Sequence, residues 1–259
     1  MSRLGRIRGQ VNADWRSFVR RRTAVFFTFF FPVILIVIFG ALVRTDPTGG
    51  GLFAEQPAFY VPAYLAVVVL FTPFSRLGSE VARHREGNRF EKLATTPLSR
   101  REWLLAQTLV NALIIGLASV LILALVVALT GAAIVYHPIV VAYIFVGVIC
   151  FCGIGAMLGS YADSQDGAIA ASNALGLPLL FLSETFVSLE QLPGWFEPLV
   201  NLSPLTYFAR GVRAATYPEA TTGTAGVAGL DPVVANLVVL AVLGVVTFLL
   251  GARSIPRTD

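Results

Sequence analysis

The chain has one lysine, two histidines and two cysteines in 259 residues, and only 13% of its side chains are charged. Each shortage excludes a chemistry. Lys92 is the sole lysine and follows Glu91, so there is no Gly-x-x-x-x-Gly-Lys-Ser/Thr loop to hold ATP. Gly-x-Ser-x-Gly and His-Glu-x-x-His are both missing, which leaves a hydrolase little to stand on. Cys150 and Cys152 lie in one apolar block with a single residue between them and point in different directions on a helix, so they read as core residues. With His84 and His137 far apart, no zinc set can be assembled, and no metal site is expected. The net charge of +4 comes without a soluble basic face carrying interleaved aromatics, so nucleic acid is not an expected partner.

What is abundant is hydrocarbon. Fifty-six per cent of the residues are hydrophobic and the mean hydropathy is +0.76, outside the range of a soluble domain. The apolar residues form blocks: Ala24 to Val43, Ala58 to Phe74, Trp103 to Leu129, Ile139 to Leu158, Ala168 to Leu182 and Val233 to Leu250. A hydrocarbon layer of about 30 Å needs roughly 20 helical residues, and its lack of water forces backbone bonding inside each segment. The expected fold is an all-α integral membrane protein, one domain over 1–259. Its six transmembrane helices fall near 24–43, 58–78, 100–130, 138–160, 167–183 and 232–252. The first block follows more than twenty residues and lacks a small-residue cleavage site, so it reads as a span and not as a signal peptide.

Lys and Arg set the orientation. Seven lie before the first span, seven between Arg76 and Arg101, and Arg253 and Arg257 lie in the tail, leaving only Arg44, Arg210 and Arg213 for the other side. The positive-inside rule places both termini and the 76–101 segment in the cytosol. The excess of arginine over lysine hints at a GC-rich prokaryotic genome, hence a prokaryotic plasma membrane. Before the first span, within 1–23, Leu4, Ile7, Val11, Trp15 and Phe18 recur every three or four residues opposite arginines. This is the pattern of an amphipathic helix lying at the inner membrane surface, as an anchor or as part of a gate.

Between the second and third blocks stands RFEKLATTPLSRREW, residues 89–103. Ser99-Arg100-Arg101-Glu102 has the spacing of a capping box, with Leu98 and Trp103 as its staple, so the third helix starts before the lipid. Pro97 separates it from whatever precedes, and a short helix from about Arg83 to Ala94 is expected within the 83–97 region. There Arg85, Glu86, Arg89, Glu91 and Lys92 interleave with Phe90 and Leu93, more than a plain connector needs.

A second segment, Phe181 to Tyr207, is apolar but contains Glu184, Glu190 and Glu197 with Pro193, Pro198 and Pro204. A charged residue at mid-membrane costs about 2.5 to 3.5 kcal/mol on insertion scales, so a seventh span is rejected. Short re-entrant helices at the outer face, within 184–215, are expected, with Trp195 and Tyr207 among the headgroups.

The run Arg-Glu-Gly-x-x-x-x-Glu-x-Leu-x-x-Thr-Pro-Leu-Ser-Arg, Arg85 to Arg100, resembles the cytosolic loop of type-2 ABC transporter permeases, the membrane subunits of drug, lipid and polysaccharide exporters. The later stretch with Leu192, Pro193, Trp195, Ser203, Pro204, Leu205, Thr206, Tyr207 and Arg213 is similar to a second motif of that family, with Ser203 in place of the usual Asn and Glu184 to Val187 in place of a small, apolar run. The resemblance implies that 83–97 holds a coupling helix docking on a separate cytosolic ATPase. Arg85, Glu86, Arg89, Phe90, Glu91, Lys92 and Leu93 are then the contacts, and the partner holds ATP and Mg while this chain binds no cofactor. It also implies a dimer with a second copy or a paralogue, surrounded by membrane lipid.

Further residues have less specific readings. Asp163, Gln165 and Asp166 form a short inner loop that is either a second ATPase contact or a solvated turn. Ser172, Asn173 and Pro178 give the fifth span a polar, broken face that suits a substrate pathway. Gly155 and Gly159 allow close helix packing, within one subunit or between two. The expected function is export of an amphipathic or lipidic substrate, whether drug, antibiotic, lipid or glycan. The alternative is a non-transporting scaffold or assembly factor of the same fold. A lipid-modifying membrane enzyme is weaker still.

Overall fold

The computed structural model of the protein describes residues 3–38, 56–186, 194–218 and 230–255. Among them the regular structure is helical: α1 (Arg3–Arg20), α2 (Arg22–Ile36), α3 (Val61–Glu86), α4 (Arg89–Ala94), α5 (Arg100–Thr130), α6 (Ile139–Tyr161), α7 (Gln165–Phe181), α8 (Glu197–Leu202), α9 (Pro204–Thr216) and α10 (Pro232–Ser254). Four segments are long and apolar enough to cross a membrane: Pro57–Glu86, Arg100–Thr130, Ile139–Tyr161 and Pro232–Ser254. The other two expected spans are shorter here. α2 is described over 15 residues, with 39–43 outside the described residues, and α7 has 17.

α3 is the centre of the bundle. Its most apolar stretch is 83% buried, against 33% for α5 and 17% for α10, so α3 is enclosed by protein while α5 and α10 present Leu and Val outward. α6 approaches α3 through glycines. A Cβ on Gly155 would sit 2.7 Å from the Phe74 carbonyl oxygen, and one on Gly159 would meet the Gly78 carbonyl. These two glycines therefore serve packing within one chain. The opposite side of α6 meets α10 the same way, with a Cβ on Gly251 falling 2.5 Å from Gly153 O. Close backbone approach replaces the hydrophobic drive that lipid cannot supply. Cys150 and Cys152 are buried thiols within α6, as core residues would be.

Helix lengths position the site. α5, with 31 residues, is about 46 Å long and α3, with 26, about 39 Å, so both exceed a hydrocarbon layer of about 30 Å. Their surplus lies at the arginine-rich end, where the Ser99 capping box is fully formed. Glu102 N donates to Ser99 Oγ at 3.3 Å, and Ser99 N donates to the Glu102 carboxylate at 2.9 Å. The other Glu102 oxygen accepts from Arg6 at 2.7 Å, tying α1 to the root of α5. Phe18, Val11 and Trp15 complete that contact by packing on Val110 and Ile114. The amphipathic pattern of 1–23 thus has its apolar stripe turned partly onto α5.

Candidate functional site

α4 stands at the base of α3 and α5. The expected short helix from Arg83 to Ala94 is divided: Arg83 to Glu86 continue α3, and α4 begins only at Arg89. The hinge is Gly87-Asn88, with Asn88 left-handed at φ 49°, a conformation that Asn tolerates better than most residues. Six residues cannot sustain a helix alone, and tertiary contact holds this one. Phe90 is 7% exposed, its ring 5.5 Å from Trp103 in an edge-to-face pair and 5.3 Å from His84. Leu93 packs beside the same core. The two apolar residues of α4 therefore key it to the bundle, while Glu86, Arg89, Glu91 and Lys92 remain exposed beside Thr95, Thr96 and Pro97.

Arg85 and Glu86 reach sideways, to the turn between α6 and α7. Arg85 Nη1 donates to the Ser160 and Ala162 carbonyls at 2.6 and 2.9 Å, with Gly159 O at 3.4 Å. Glu86 Oε1 accepts from Gln165 N at 2.8 Å. One residue supplies positive charge to the carbonyl end of α6 and the next supplies negative charge to the amide end of α7, each matching the local helix dipole. Ser164 caps α7 as well, accepting from Gly167 N at 2.9 Å. Asp163 and Asp166 are exposed on this turn. The structure thus brings the 83–97 region and the 163–166 loop into one continuous surface through the Glu86–Gln165 bond.

Above this base a cavity of about 540 Å³ opens between α1, α2, α3, α5 and α7. Asp14, Arg21, Arg76 and Glu80 line one part of it, and Phe18, Phe27, Phe31 and Phe71 another. Arg76 sits 5.1 Å from the centre of the Phe18 ring and donates to Asn111 Oδ1 at 3.2 Å. Burial pushes the Asp14 carboxyl above its ordinary range. Of the three pathway candidates, Asn173 lines this cavity. Ser172 is buried toward α3 and its hydroxyl donates to Ala168 O at 2.7 Å, whereas Pro178 lies on the exposed face of α7.

At the opposite end the described residues of 184–215 include two short helices, α8 and α9. Ser203 caps α9, accepting from Leu205 N at 3.2 Å, and shares a hydrogen bond with Ser183 at 2.6 Å. Tyr207 donates to Asn201 O at 2.7 Å, Pro204 opens α9, and Trp195 is exposed. Pro193 and Leu192 lie outside the described residues. Glu184, left-handed at φ 54°, is buried and held by Arg210: Nε donates at 2.9 Å and Nη2 donates to the second oxygen. Arg210 Nη1 also donates to Asn201 Oδ1 at 2.8 Å, and Arg213 donates to Glu184 O at 2.6 Å while stacking 4.0 Å over Phe59.

The family model for ABC-2 type transporters matches residues 8–217, which include α4, the cavity and the Glu184 cluster. The chain belongs to the ABC-2 type transporter family. It is also similar to the daunorubicin resistance ABC transporter permease protein DrrB1 of Streptomyces coeruleorubidus, with 27% identity over 205 residues, 75% of this chain and 67% of the relative. As an ABC-2 chain it is a membrane-embedded transporter subunit, and members of this family work with an ATPase carried on a separate subunit. Within that frame the sequence pattern missed three things: the Arg210–Glu184 pair, the inward use of Arg85, and the half-buried charges Asp14, Arg76 and Glu80 on the cavity wall. Arg76 and Glu80, four apart inside an apolar helix, were the one available signal for the last of these.

Proposed function

We propose that this ABC-2 chain is the membrane half of an exporter of amphipathic compounds, with ATP and Mg held on a cytosolic ATPase that docks against α4. The observation that carries the proposal is the division of labour on α4: Phe90 is locked under Trp103 while Arg89, Glu91 and Lys92 stand free. A force applied to the exposed face is delivered through a packed aromatic contact to α3 and α5, and through Arg85 and Glu86 to α6 and α7. In this reading all six spans cross a prokaryotic plasma membrane, both termini are cytosolic, and α8 and α9 dip into the outer surface. A second copy or a paralogue supplies the other half of the pathway. The cavity beside Asn173, charged on one part of its wall and aromatic on another, suits an amphipathic cargo entering from the inner side. The relative named for daunorubicin resistance supports a drug-like cargo.

The test is charge reversal, Glu91→Arg, in the complex purified with its ATPase. Substrate-stimulated ATP turnover is expected to vanish while membrane insertion stays normal. Turnover at the wild-type rate would remove α4 as the docking surface, and failure to recover any ATPase with the wild-type chain would favour the scaffold reading.

A further inference from the structure

A third surface belongs neither to the docking face nor to the cavity. Between the arginine-rich ends of α5 and α10 lies a cleft of about 710 Å³ lined by Ser99, Arg100, Arg101, Arg253, Ser254 and neighbouring backbone. Arg100 bridges the two helices, donating to Ile255 O at 2.7 Å. Among the described residues no carboxylate lines the cleft, and the nearby Glu102 is already occupied by Arg6 and the Ser99 amide. Three arginines therefore line one recess, and Arg101 and Arg253 form no ion pair among the described residues.

One turn away the surface changes to hydrocarbon. Leu105 follows Arg101 by four positions on α5, and Leu249 precedes Arg253 by four on α10, so each leucine lies on the same helix face as its arginine. Both are exposed, at 37% and 43%, on the two least covered of the four long apolar helices. The helices run antiparallel here, α5 starting and α10 ending at the cleft, so on both of them the leucine lies on the bundle side of the arginine. A ligand matching this surface has an anionic phosphate at the arginines and a hydrocarbon tail over the leucines.

We infer that the α5–α10 cleft is a binding site for an anionic phospholipid of the cytosolic leaflet, its phosphodiester held by Arg101 and Arg253 with Arg100 fixing the floor. The inference rests on the orientation proposed above, which places this end in the cytosol. Arginine suits the role because its planar fork pairs with two phosphate oxygens at once, and basic recesses between spans at the cytosolic surface are where anionic headgroups bind.

The test uses the full-length chain, delipidated in detergent and titrated by native mass spectrometry with phosphatidylglycerol, phosphatidylcholine or inorganic phosphate. Phosphatidylglycerol should bind about thirty-fold more tightly than phosphatidylcholine, as two arginines near an anionic group predict. Arg101→Gln with Arg253→Gln should bring the two lipids to parity, and Arg101→Lys with Arg253→Lys should keep part of the preference, which separates lost charge from lost fold. Equal binding of both lipids by the wild-type chain, or a preference unchanged in the glutamine variant, would overturn the site. Displacement of phosphatidylglycerol by inorganic phosphate at equal concentration would overturn its lipid character. None of these measurements needs the ATPase, so their failure leaves the exporter reading intact, and loss of the exporter reading through Glu91→Arg leaves them standing.

Discussion

Phe90→Ala tests whether α4 is held by its aromatic key. The ring is 7% exposed and lies between Trp103 and His84, so its removal empties a packed site. Such substitutions cost about 3–5 kcal/mol. At about 1.4 kcal/mol per tenfold, even the lower figure raises the undocked population of α4 more than a hundredfold. The loss stays local, because α4 is six residues long and cannot persist detached, whereas the bundle has its own core in α3, α5 and α6. Hydrogen–deuterium exchange on the purified chain should show amides of 92–94, the ones bonded within α4, losing protection by a comparable factor while those of α6 keep theirs. Trp103→Phe is the matched control. The Trp103 indole N–H is buried without a hydrogen-bond partner among the described residues, so removing it breaks none of their bonds, and most of the ring contact remains. Wild-type protection of 92–94 in Phe90→Ala would refute the key, and with it the proposed route of force to α5.

Other substitutions probe the remaining contacts. Glu184→Ala leaves Arg210 without its bidentate partner and should cost about 2–4 kcal/mol in thermal unfolding, short of the full buried-pair value because the Arg210 side chain is 27% exposed. Arg85→Gln removes the charge from the end of α6 and should speed amide exchange at 160–166 without altering ATPase binding, whereas weakened binding with unchanged exchange would make Arg85 a direct contact. Gly155→Ala forces a methyl to 2.7 Å from the Phe74 carbonyl and should destabilise by about 1–3 kcal/mol. Gly116→Ala, with nothing within 4 Å, should be neutral or stabilising by up to about 1 kcal/mol, both read from melting in detergent.

The features legible in the sequence were those encoded over short distances. The capping box needed only Ser99 and Glu102, three apart, and the apolar blocks needed only their own length. The rejection of a seventh span followed from carboxylates and prolines inside one segment, whose described residues include the short helices α8 and α9. What stayed hidden depends on partners far along the chain. Charge on Arg85 reads as a solvent-facing or docking residue until the α6 carbonyls 75 and more positions away are seen beside it. Glu184 reads as a departure from a small, apolar run, and only its pairing with Arg210, 26 residues on, explains how a buried carboxylate is tolerated there. Phe90 showed an apolar residue in a charged loop, but not that its ring turns inward. Helical periodicity fixes which residues share a face and is silent about what that face meets.

The clamp that Arg85 and Glu86 place on the α6–α7 turn bears on any attempt to re-engineer which motor this subunit answers to. On the docking proposed above, a graft of residues 85–100 from a relative would import a new recognition surface yet put at risk the bonds of Arg85 and Glu86 to 159–165. Such chimeras should assemble and bind the foreign ATPase while idling. Exchanging both segments together is the smallest transplant that also carries the transmission.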